Sequence, residues 1–289
     1  MPGLVALVLV TVVWGVTFVQ VKDAVAIYPL FAFLALRFGI ASLVLAVPAV
    51  LRVRTLGRGG AGAAGLAGCL LAGGYALQTL GLQRTSVSSA GFVTGMYVVL
   101  TPLLALTFFR IRIGAGAWTG VVLASSGLAM LAGIHGGSPM GDLLVLGGAA
   151  VYALQIVLLE RYAPRHDPLA FTLVEMLAAF VVLSCAALPT LARPHGWTVW
   201  GALLVTGVFA SALAFLVQSW AQRSASATRT AVVFSLEPVW AAVFGFALAG
   251  DRLGALGWGG CAVIMAGIAL SEPSAAAVLV RLLRRPRPA

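Results

Sequence analysis

Charged residues are scarce in this chain of 289 residues, where they make up only 9% of the sequence. A typical soluble domain carries roughly a quarter, and a soluble fold with so few charges lacks the polar surface that it needs. Hydrophobic residues account for 61% and occur in long runs, and a helix needs about 20 such residues to cross a bilayer. The strict alternation of apolar and polar residues that β-barrel strands require is not seen. The composition therefore predicts an integral membrane protein built of helices.

Cysteine and histidine are also rare, with three residues of each kind. Cys69, Cys185 and Cys261 lie far apart within apolar runs and form no CxxC pair, so we interpret them as small packing residues rather than metal ligands. The histidines all fall between the apolar runs. Motifs of the HExxH, GxSxG and nucleotide-binding kinds are absent from the sequence. These absences predict that the protein is neither an enzyme nor an ATP-driven pump, and that it uses no metal or cofactor.

Lysine is nearly absent, because all but one of the 18 basic residues are arginine. The arginines lie in the breaks between apolar runs rather than on one face, which argues against nucleic acid as a partner despite the net charge of +10. Cytoplasmic loops of membrane proteins are enriched in Lys and Arg. With the N-terminus inside, 13 basic residues fall on the cytoplasmic side and 4 fall outside. This bias predicts that both termini are cytoplasmic.

Turn residues and isolated charges divide the apolar sequence into ten predicted transmembrane spans, with no room for a soluble domain. We place them at residues 3–21, 30–51, 62–83, 86–108, 113–134, 142–162, 168–192, 197–220, 227–249 and 254–272. An even number of spans agrees with two termini on the same side of the lipid bilayer.

The two halves of the chain are similar to each other at a nearly constant offset. Four residues of the first half, Gly114, Trp118, Gly120 and Gly127, recur 140 positions later as Gly254, Trp258, Gly260 and Gly267. Each half holds five spans, and because five is odd, the second half must enter the membrane from the opposite side. The sequence therefore predicts an inverted repeat, an architecture that secondary transporters use. The expected units are a first five-helix repeat at 1–136, an inverted second repeat at 137–273 and a basic cytoplasmic tail at 274–289.

Short motifs in both halves resemble those of one transporter family. They are Val13-Trp14-Gly15, Leu36-Arg37-Phe38, and Leu236-Glu237-Pro238 followed by Gly250-Asp251-Arg252-Leu253. Their order resembles that of the drug/metabolite transporter superfamily, in particular its EamA-type exporters with five plus five helices. The resemblance implies an all-α protein of a bacterial-type inner membrane that exports amino acids, related metabolites or cationic drugs. Within the superfamily, the resemblance suggests aromatic amino acid exporters of the YddG type as the nearest specific comparison, although the sequence itself does not single out that substrate.

Polar and aromatic residues inside the predicted spans are the candidates for a substrate site. Tyr75 and Gln78 share a helix face because they are three residues apart, and so do Thr94 and Tyr97. Amides and hydroxyls suit the charged groups of an amino acid, while aromatic rings suit apolar side chains and cations. The alternative is that these residues form hydrogen bonds between helices. The full candidate set is Trp14, Tyr75, Gln78, Thr79, Thr94, Tyr97, Gln155, Ser211, Gln218 and Glu237.

Two prolines and one carboxylate lie inside the fourth and ninth spans. Pro102 and Pro238 each remove a backbone donor, and we predict that they form paired hinges beside a central cavity, the alternative being two tolerated kinks. Glu237 directly precedes Pro238 and costs about 2.5–3.5 kcal/mol to place in a bilayer, so it is expected to face protein or water. It is a candidate for proton coupling or cation recognition, or else a structural carboxylate bonded to backbone.

Two pairs of charged residues occupy corresponding positions in the two halves. Arg37 and Glu175 lie within spans and are expected either to pair with each other or to anchor their helices separately. Lys22 and Glu160 lie at span ends, where long side chains extend to the membrane interface.

Secondary transport of a small metabolite is the function that these features predict. One site between the repeats, lined by spans 1, 3, 4, 6, 8 and 9, would open alternately to each side. Aromatic or neutral amino acids are the leading substrate class. The alternatives are a multidrug, nucleobase or cation exporter and a channel-like uniporter. The driving force is either a proton gradient acting through Glu237 or the substrate gradient alone.

Overall fold

Helices dominate this fold because a bilayer offers no water to the backbone, and a helix bonds its own amides locally. A computed structural model describes residues 2–85, 87–132, 138–190, 192–248 and 254–271, and every regular element within those ranges is helical. The all-α prediction is therefore confirmed. The motif at 250–253 and the predicted tail at 274–289 lie outside the described residues.

The described residues of the first half form six α-helices. They are α1 (Pro2–Ile27), α2 (Leu30–Ala49), α3 (Gly57–Leu82), α4 (Val87–Gly95), α5 (Tyr97–Phe109) and α6 (Ala115–Ala132), with a 3-10 turn at Val50–Leu56 between α2 and α3.

Seven α-helices lie within the described residues of the second half. They are α7 (Pro139–Tyr162), α8 (Pro168–Ala187), α9 (Gly196–Leu204), α10 (Ala214–Ala221), α11 (Ala227–Phe234), α12 (Glu237–Leu248) and α13 (Ala255–Ser271). A π-helix at Val205–Leu213 joins α9 to α10, and 3-10 turns at Ala163–Arg165 and Leu188–Thr190 follow α7 and α8.

Six helical segments of the described residues are long and apolar enough to cross a bilayer. They are Pro2–Ile27, Leu30–Leu82, Ser89–Phe109, Pro139–Arg165, Pro168–Thr190 and Gly196–Ala221. Shorter apolar helices lie at Ala115–Met130 and Ala255–Ser271. The chain is a multi-pass membrane protein.

Side-chain caps begin helices at the predicted breaks. The Ser138 hydroxyl accepts a bond from the Gly141 amide, and Pro139 follows as the first helical residue of α7. The Asp167 carboxylate accepts from the Ala170 amide at 3.0 Å at the start of α8. Such caps satisfy amides that have no partner within the helix, and a proline is tolerated at the first helical position.

The helix breaks of the two halves have the same backbone pattern. The Met96 amide donates to the Val93 carbonyl and the Leu236 amide to the Val233 carbonyl, both at 3.1 Å. The following helices, α5 and α12, start at positions 97 and 237. The first break thus precedes the predicted hinge residue Pro102, which lies inside α5.

Pro238, by contrast, is the second residue of α12 and directly follows its break. The two prolines thus differ in position, because only Pro238 adjoins a break, and their role as paired hinges stays a prediction. Pro102 is accommodated within a helix, as happens where neighbouring groups satisfy the freed carbonyl.

Small residues let pairs of helices approach closely. A Cβ on Gly120 of α6 would lie 3.0 Å from the backbone oxygen of Gly267 of α13, and a Cβ on Gly127 would lie 2.6 Å from that of Gly260. The same feature brings α3 against α7, where a Cβ on Gly148 would lie 2.9 Å from the Gly74 oxygen. Close approach at small residues is how helices associate in a membrane without a hydrophobic driving force.

Candidate functional site

A central cavity lies among helices from both halves of the chain. The space inside it that a water molecule can occupy measures about 60 Å³. The lining residues come from α1, α2, α3, α4, α5, α7, α10, α11 and α12. They are Trp14, Thr17, Phe18, Val21, Arg37, Leu71, Tyr75, Gln78, Thr79, Leu82, Thr94, Tyr97, Tyr152, Gln155, Ile156, Phe215, Gln218, Phe234 and Glu237.

Nine of the ten candidate substrate residues line this cavity. The exception is Ser211, which is fully buried in the π-helix and accepts a hydrogen bond from Arg37 Nε at 2.7 Å. Ser211 therefore supports a cavity residue instead of lining the cavity itself. Substrate binding by these nine residues stays a prediction.

One polar wall of the cavity is a chain of hydrogen bonds centred on Gln78. Its Nε2 donates to Thr94 Oγ1 at 3.0 Å, and its Oε1 accepts from Tyr152 Oη at 3.0 Å. The glycines of the α3–α7 crossing allow this contact, since a Cβ on Gly74 would collide with the Tyr152 ring. These bonds hold the Gln78 amide in one orientation at the cavity surface.

Arg37 also lines the cavity, although its helix, α2, was not among the spans predicted to line the site. Its side chain is 3% exposed. Nε donates to Ser211 Oγ, and one terminal nitrogen donates to Tyr75 Oη at 3.0 Å and to the Ala210 carbonyl at 3.3 Å. The guanidinium carbon lies 4.3 Å from the Tyr75 ring centroid. A charge inside a span is itself a signal of a functional site, and that signal was available from the sequence.

The other terminal nitrogen of Arg37, Nη1, has no hydrogen bond to any residue that the structure describes. A guanidinium carries five N–H donors in a rigid fork. The fork is thus fixed by protein on one edge and has donors to spare on the other. Such an arrangement can accept a carboxylate or another anionic group.

Glu237 supplies the carboxyl group on the cavity wall. It is the first residue of α12, and it is 8% exposed. Its Oε2 accepts a long hydrogen bond of 3.4 Å from Tyr97 Oη, the first residue of α5. The expected role as a structural carboxylate bonded to backbone is not what the structure shows, because the Glu237 side chain bonds another cavity side chain.

Aromatic rings fill the remaining wall. The Trp14 ring centroid lies 4.8 Å from that of Phe234 and 5.7 Å from that of Phe215, while its Nε1 donates to the Ala210 carbonyl at 2.9 Å. Tyr75 and Tyr152 pack edge to face at 5.3 Å. The cavity wall therefore combines the Arg37 guanidinium and the Glu237 carboxyl group with an aromatic surface.

The predicted pair of Arg37 and Glu175 does not form. Glu175 Oε1 accepts from Gln155 Nε2 at 2.8 Å, whereas Arg37 bonds Ser211, Tyr75 and a carbonyl. At the span ends, Lys22 Nζ donates to the Thr85 carbonyl at 3.0 Å and Glu160 Oε2 accepts from the Ala227 amide at 3.1 Å. In the described ranges, no group of three or more His, Cys, Asp or Glu side chains could hold a metal ion.

Comparison with known proteins gives a family and several relatives. The sequence profile of the EamA-like transporter family matches residues 1–133 and 139–272. An "Uncharacterized transporter" of Archaeoglobus fulgidus is 33% identical over 248 residues, which cover 86% of this chain and 78% of the relative. The "Uncharacterized inner membrane transporter YedA" of Escherichia coli K12 is 28% identical over 281 residues, covering 92% and 89%.

A human relative and a solved structure extend the comparison. "Solute carrier family 35 member F6" of Homo sapiens is 30% identical over 136 residues, 43% of this chain and 37% of its own length. A crystal structure that is 18% identical superposes with a TM-score of 0.79 and covers 99% of both chains. At that identity the superposition establishes the fold alone.

Proposed function

The chain belongs to the EamA-like transporter family, and from that premise we propose that it exports amino acids with aromatic or neutral side chains. Membership places it among membrane transporters rather than enzymes. The substrate class is our own inference. The observation that carries it is the presence of one arginine, Arg37, and one carboxyl group, Glu237, on the wall of a single cavity.

An amino acid at neutral pH carries one carboxylate and one ammonium group. Arg37 Nη1 is free to bind the carboxylate with two N–H donors, and charge-assisted bonds of this kind are about twice as strong as neutral ones. Glu237 Oε1, which has no hydrogen bond to a described residue, is free to accept from the ammonium group. A substrate with a single charge would leave one of these two groups buried without a partner, which is costly.

The aromatic wall suits the substrate side chain. The Trp14 ring contacts the rings of both Phe215 and Phe234, so ring faces and edges lie close together on this wall. Aromatic pairs add about 0.5–1.5 kcal/mol beyond the burial of their area. An aromatic or other apolar side chain would therefore gain more in this cavity than a charged one.

We further propose that the fold consists of ten transmembrane helices in two inverted repeats. In this proposal α4 with α5 forms one span, α11 with α12 forms another, and α9, the π-helix and α10 together form a third. The repeats are residues 1–136 and 137–273. The two stretches matched by the family profile support this division.

The glycine contacts between α6 and α13 also support the inverted repeat. One close contact joins Gly120 to Gly267 and the other joins Gly127 to Gly260. Adding 140 to the first residue of one pair, and subtracting 140 from the second, yields the other pair. A twofold axis in the membrane plane relates two repeats in this way. In a protein of this kind, rocking one repeat against the other would expose the cavity alternately to each side.

The proposed orientation has both termini in the cytoplasm, as the distribution of basic residues predicts. Reporter fusions at residues 136 and 289 test it: an odd number of spans before residue 136 should place the first reporter outside and the second inside. Two reporters on the same side would contradict the odd number of spans in each repeat.

Counterflow in proteoliposomes tests the substrate class. Vesicles loaded with unlabelled L-phenylalanine should take up labelled L-phenylalanine by exchange. External phenylalanine methyl ester, which lacks the carboxylate, and N-acetylphenylalanine, which lacks the ammonium group, should each compete at least about tenfold more weakly, since one lost ionic contact costs about 1.5–3 kcal/mol.

Other outcomes point to the alternatives. Stronger competition by the ester than by phenylalanine would favour a cation or multidrug exporter, and competition by nucleobases alone would favour that class. Uptake that does not saturate and shows no exchange would favour a channel-like uniporter. Each of these results would contradict the proposed zwitterion site.

A further inference from the structure

Glu175 is a buried carboxyl group that the proposed substrate site does not use. Its side chain has no exposed surface, and it does not belong to the cavity lining. Oε1 accepts one hydrogen bond, from Gln155 Nε2 at 2.8 Å, while Oε2 is buried without a partner among the described residues. A fully buried carboxylate with one donor is an expensive group to keep ionised.

Three glutamine side chains form a hydrogen-bonded cluster with Glu175, and Gln155 is the member that bonds it directly. Gln218 Nε2 donates to Gln155 Oε1 and to Gln222 Oε1, each at 3.0 Å, and Gln222 Nε2 donates to the Ile156 carbonyl at 2.9 Å. Gln155 and Gln218 line the cavity. One amide therefore separates Glu175 from the substrate site.

Two buried oxygens of this cluster lack a hydrogen-bond donor. Besides Glu175 Oε2, the Gln218 Oε1 oxygen is buried and has no partner among the described residues. Both N–H groups of Gln218 Nε2 are already in use, and the amides of Gln155 and Gln222 bond elsewhere without reaching either oxygen. A proton on the carboxyl group would neutralise Glu175 and turn one of its oxygens into a donor.

Among the residues that the structure describes, no basic side chain forms an ion pair with Glu175. The neighbouring helices α2 and α3 contribute Arg37 and Tyr75, which bond each other, and Arg37 also donates to Ser211. The 3-10 turn at Val50–Leu56 contributes Arg52, which pairs with Asp167 at the start of α8. On α7, Tyr152 bonds Gln78 and Glu160 bonds the Ala227 amide. Residues 214–221 of α10 carry no charge.

Glu175 also corresponds to Arg37 in the structure. A Cβ on Gly207 would lie 3.1 Å from the backbone oxygen of Arg37, and a Cβ on Gly68 would collide with the backbone oxygen of Glu175. The backbone of each residue thus packs closely against a glycine of another helical segment. If the repeats exchange conformations during transport, the position that reaches the cavity changes from Arg37 to Glu175.

We propose that Glu175 binds a proton in this conformation and exchanges it with the cavity in the opposite one, so that this residue, and not Glu237, couples transport to the proton gradient. The Gln155 side chain separates Glu175 from the cavity and must move for the exchange. The coupling step rests on the proposed transport function, whereas the protonation of Glu175 does not.

A proton suits the cluster better than a metal cation. Magnesium and calcium take six or more oxygen ligands, and the cluster offers only two unpartnered oxygens, on Glu175 and Gln218. A Na⁺ ion would likewise be left with few ligands. The test below nevertheless includes a Na⁺ gradient, because a response to it would overturn the assignment.

Infrared spectroscopy tests the protonation without any substrate. In wild-type protein at pH 7, we expect a carbonyl stretching band of a protonated carboxyl group that is lost in Glu175→Gln and kept in Asp23→Asn, a change at an exposed carboxylate. The introduced amide replaces the acid O–H as a donor, so the Glu175→Gln variant should fold; Glu175→Met is the second variant should it not. A band whose intensity is the same in Glu175→Gln as in wild type, or no such band in wild-type protein, would overturn the proposal.

Transport of labelled L-phenylalanine tests the coupling. A pH difference of one unit should drive about tenfold accumulation in wild-type vesicles for one proton per substrate. Glu175→Gln should retain counterflow yet lose this accumulation, and Asp23→Asn should retain both. Accumulation by Glu175→Gln equal to wild type, or accumulation driven by Na⁺ instead, would overturn the coupling role. Failure of wild-type counterflow would contradict the proposed function, and the infrared result would still decide on Glu175.

Discussion

Tyr97 and Glu237 are joined by a hydrogen bond of 3.4 Å across the cavity, although 140 residues separate them in the chain. Each is the first residue of the helix that follows a break, α5 for Tyr97 and α12 for Glu237. The same offset of 140 residues relates corresponding glycines of the two halves, such as Gly120 and Gly260. The bond therefore lies where the proposed twofold axis would pass, and it links the two helix breaks to each other.

The Tyr97→Phe variant should weaken substrate binding modestly. Without the Tyr97 hydroxyl, Glu237 loses the one side-chain donor that orients its carboxylate. A bond of this length to a charged acceptor is worth about 1 kcal/mol, at the low end for such groups, so the KM for L-phenylalanine should rise roughly fivefold. Counterflow kinetics measure it, and Thr107→Ala, a change at an exposed hydroxyl on the same helix, is the matched control. An unchanged KM would show that Tyr97 does not position Glu237 for binding.

Substitutions of Arg37 should separate its charge from its geometry. Arg37→Gln removes the group proposed to bind the substrate carboxylate and should raise the KM for phenylalanine by about 10- to 100-fold, the effect of losing about 1.5–3 kcal/mol. Arg37→Lys keeps the charge but loses the planar fork, so it should give an intermediate KM.

The methyl ester is the internal control for Arg37. Because the ester lacks the carboxylate, its inhibition constant should change little between wild type and Arg37→Gln. An equal loss for both ligands would indicate that Arg37 supports the fold through Ser211 and Tyr75 and does not recognise the carboxylate.

The helical architecture could be predicted from the sequence because each helix depends on local features. Long apolar runs require helices in a bilayer, and Ser138-Pro139 and Asp167-Pro168 each place a capping side chain before a proline. These dipeptides were visible as breaks, and the structure uses them as helix starts. Polar residues inside apolar runs likewise predicted the cavity lining, since a buried polar group in a helix bundle needs hydrogen-bonding partners.

What the sequence could not supply depends on contacts between distant residues. Arg37 faces the cavity because Ser211 and the Ala210 carbonyl, more than 170 residues away, hold its inner edge. Those partners lie in the π-helix at Val205–Leu213. The pattern of apolar residues in the sequence does not distinguish this π-helix from an ordinary α-helix. The break at Met96 was missed because Pro102 is the stronger local signal, although the backbone around Pro102 stays helical.

Two substitutions of Asp167 should separate a helix cap from a surface ion pair. The carboxylate caps α8 through the Ala170 amide and also pairs with Arg52 at 3.2 Å. Asparagine is as good a cap as aspartate, and the ion pair is largely exposed and worth about 0–1 kcal/mol. Asp167→Asn should therefore leave the unfolding temperature in detergent nearly unchanged, whereas Asp167→Ala should destabilise the protein by about 1 kcal/mol. Equal destabilisation by both would assign the effect to the ion pair.

The crossing of α6 and α13 should tolerate no side chain at its closest point. A Cβ on Gly127 would lie 2.6 Å from the Gly260 oxygen and 2.9 Å from the Ile264 nitrogen, so backbone atoms would have to move apart. Overpacking of this kind costs about 1–3 kcal/mol, and Gly127→Ala should lower the unfolding temperature in detergent accordingly. Gly65→Ala is the matched control, because Gly65 also lies within a helix and a Cβ there meets nothing within 4 Å. Alanine is the better helix former, so this control should be neutral or slightly stabilising. If Gly127→Ala matched Gly65→Ala in stability, the two helices would not be held at the separation that the glycine contacts require, and the support that this crossing lends to an inverted repeat would be lost.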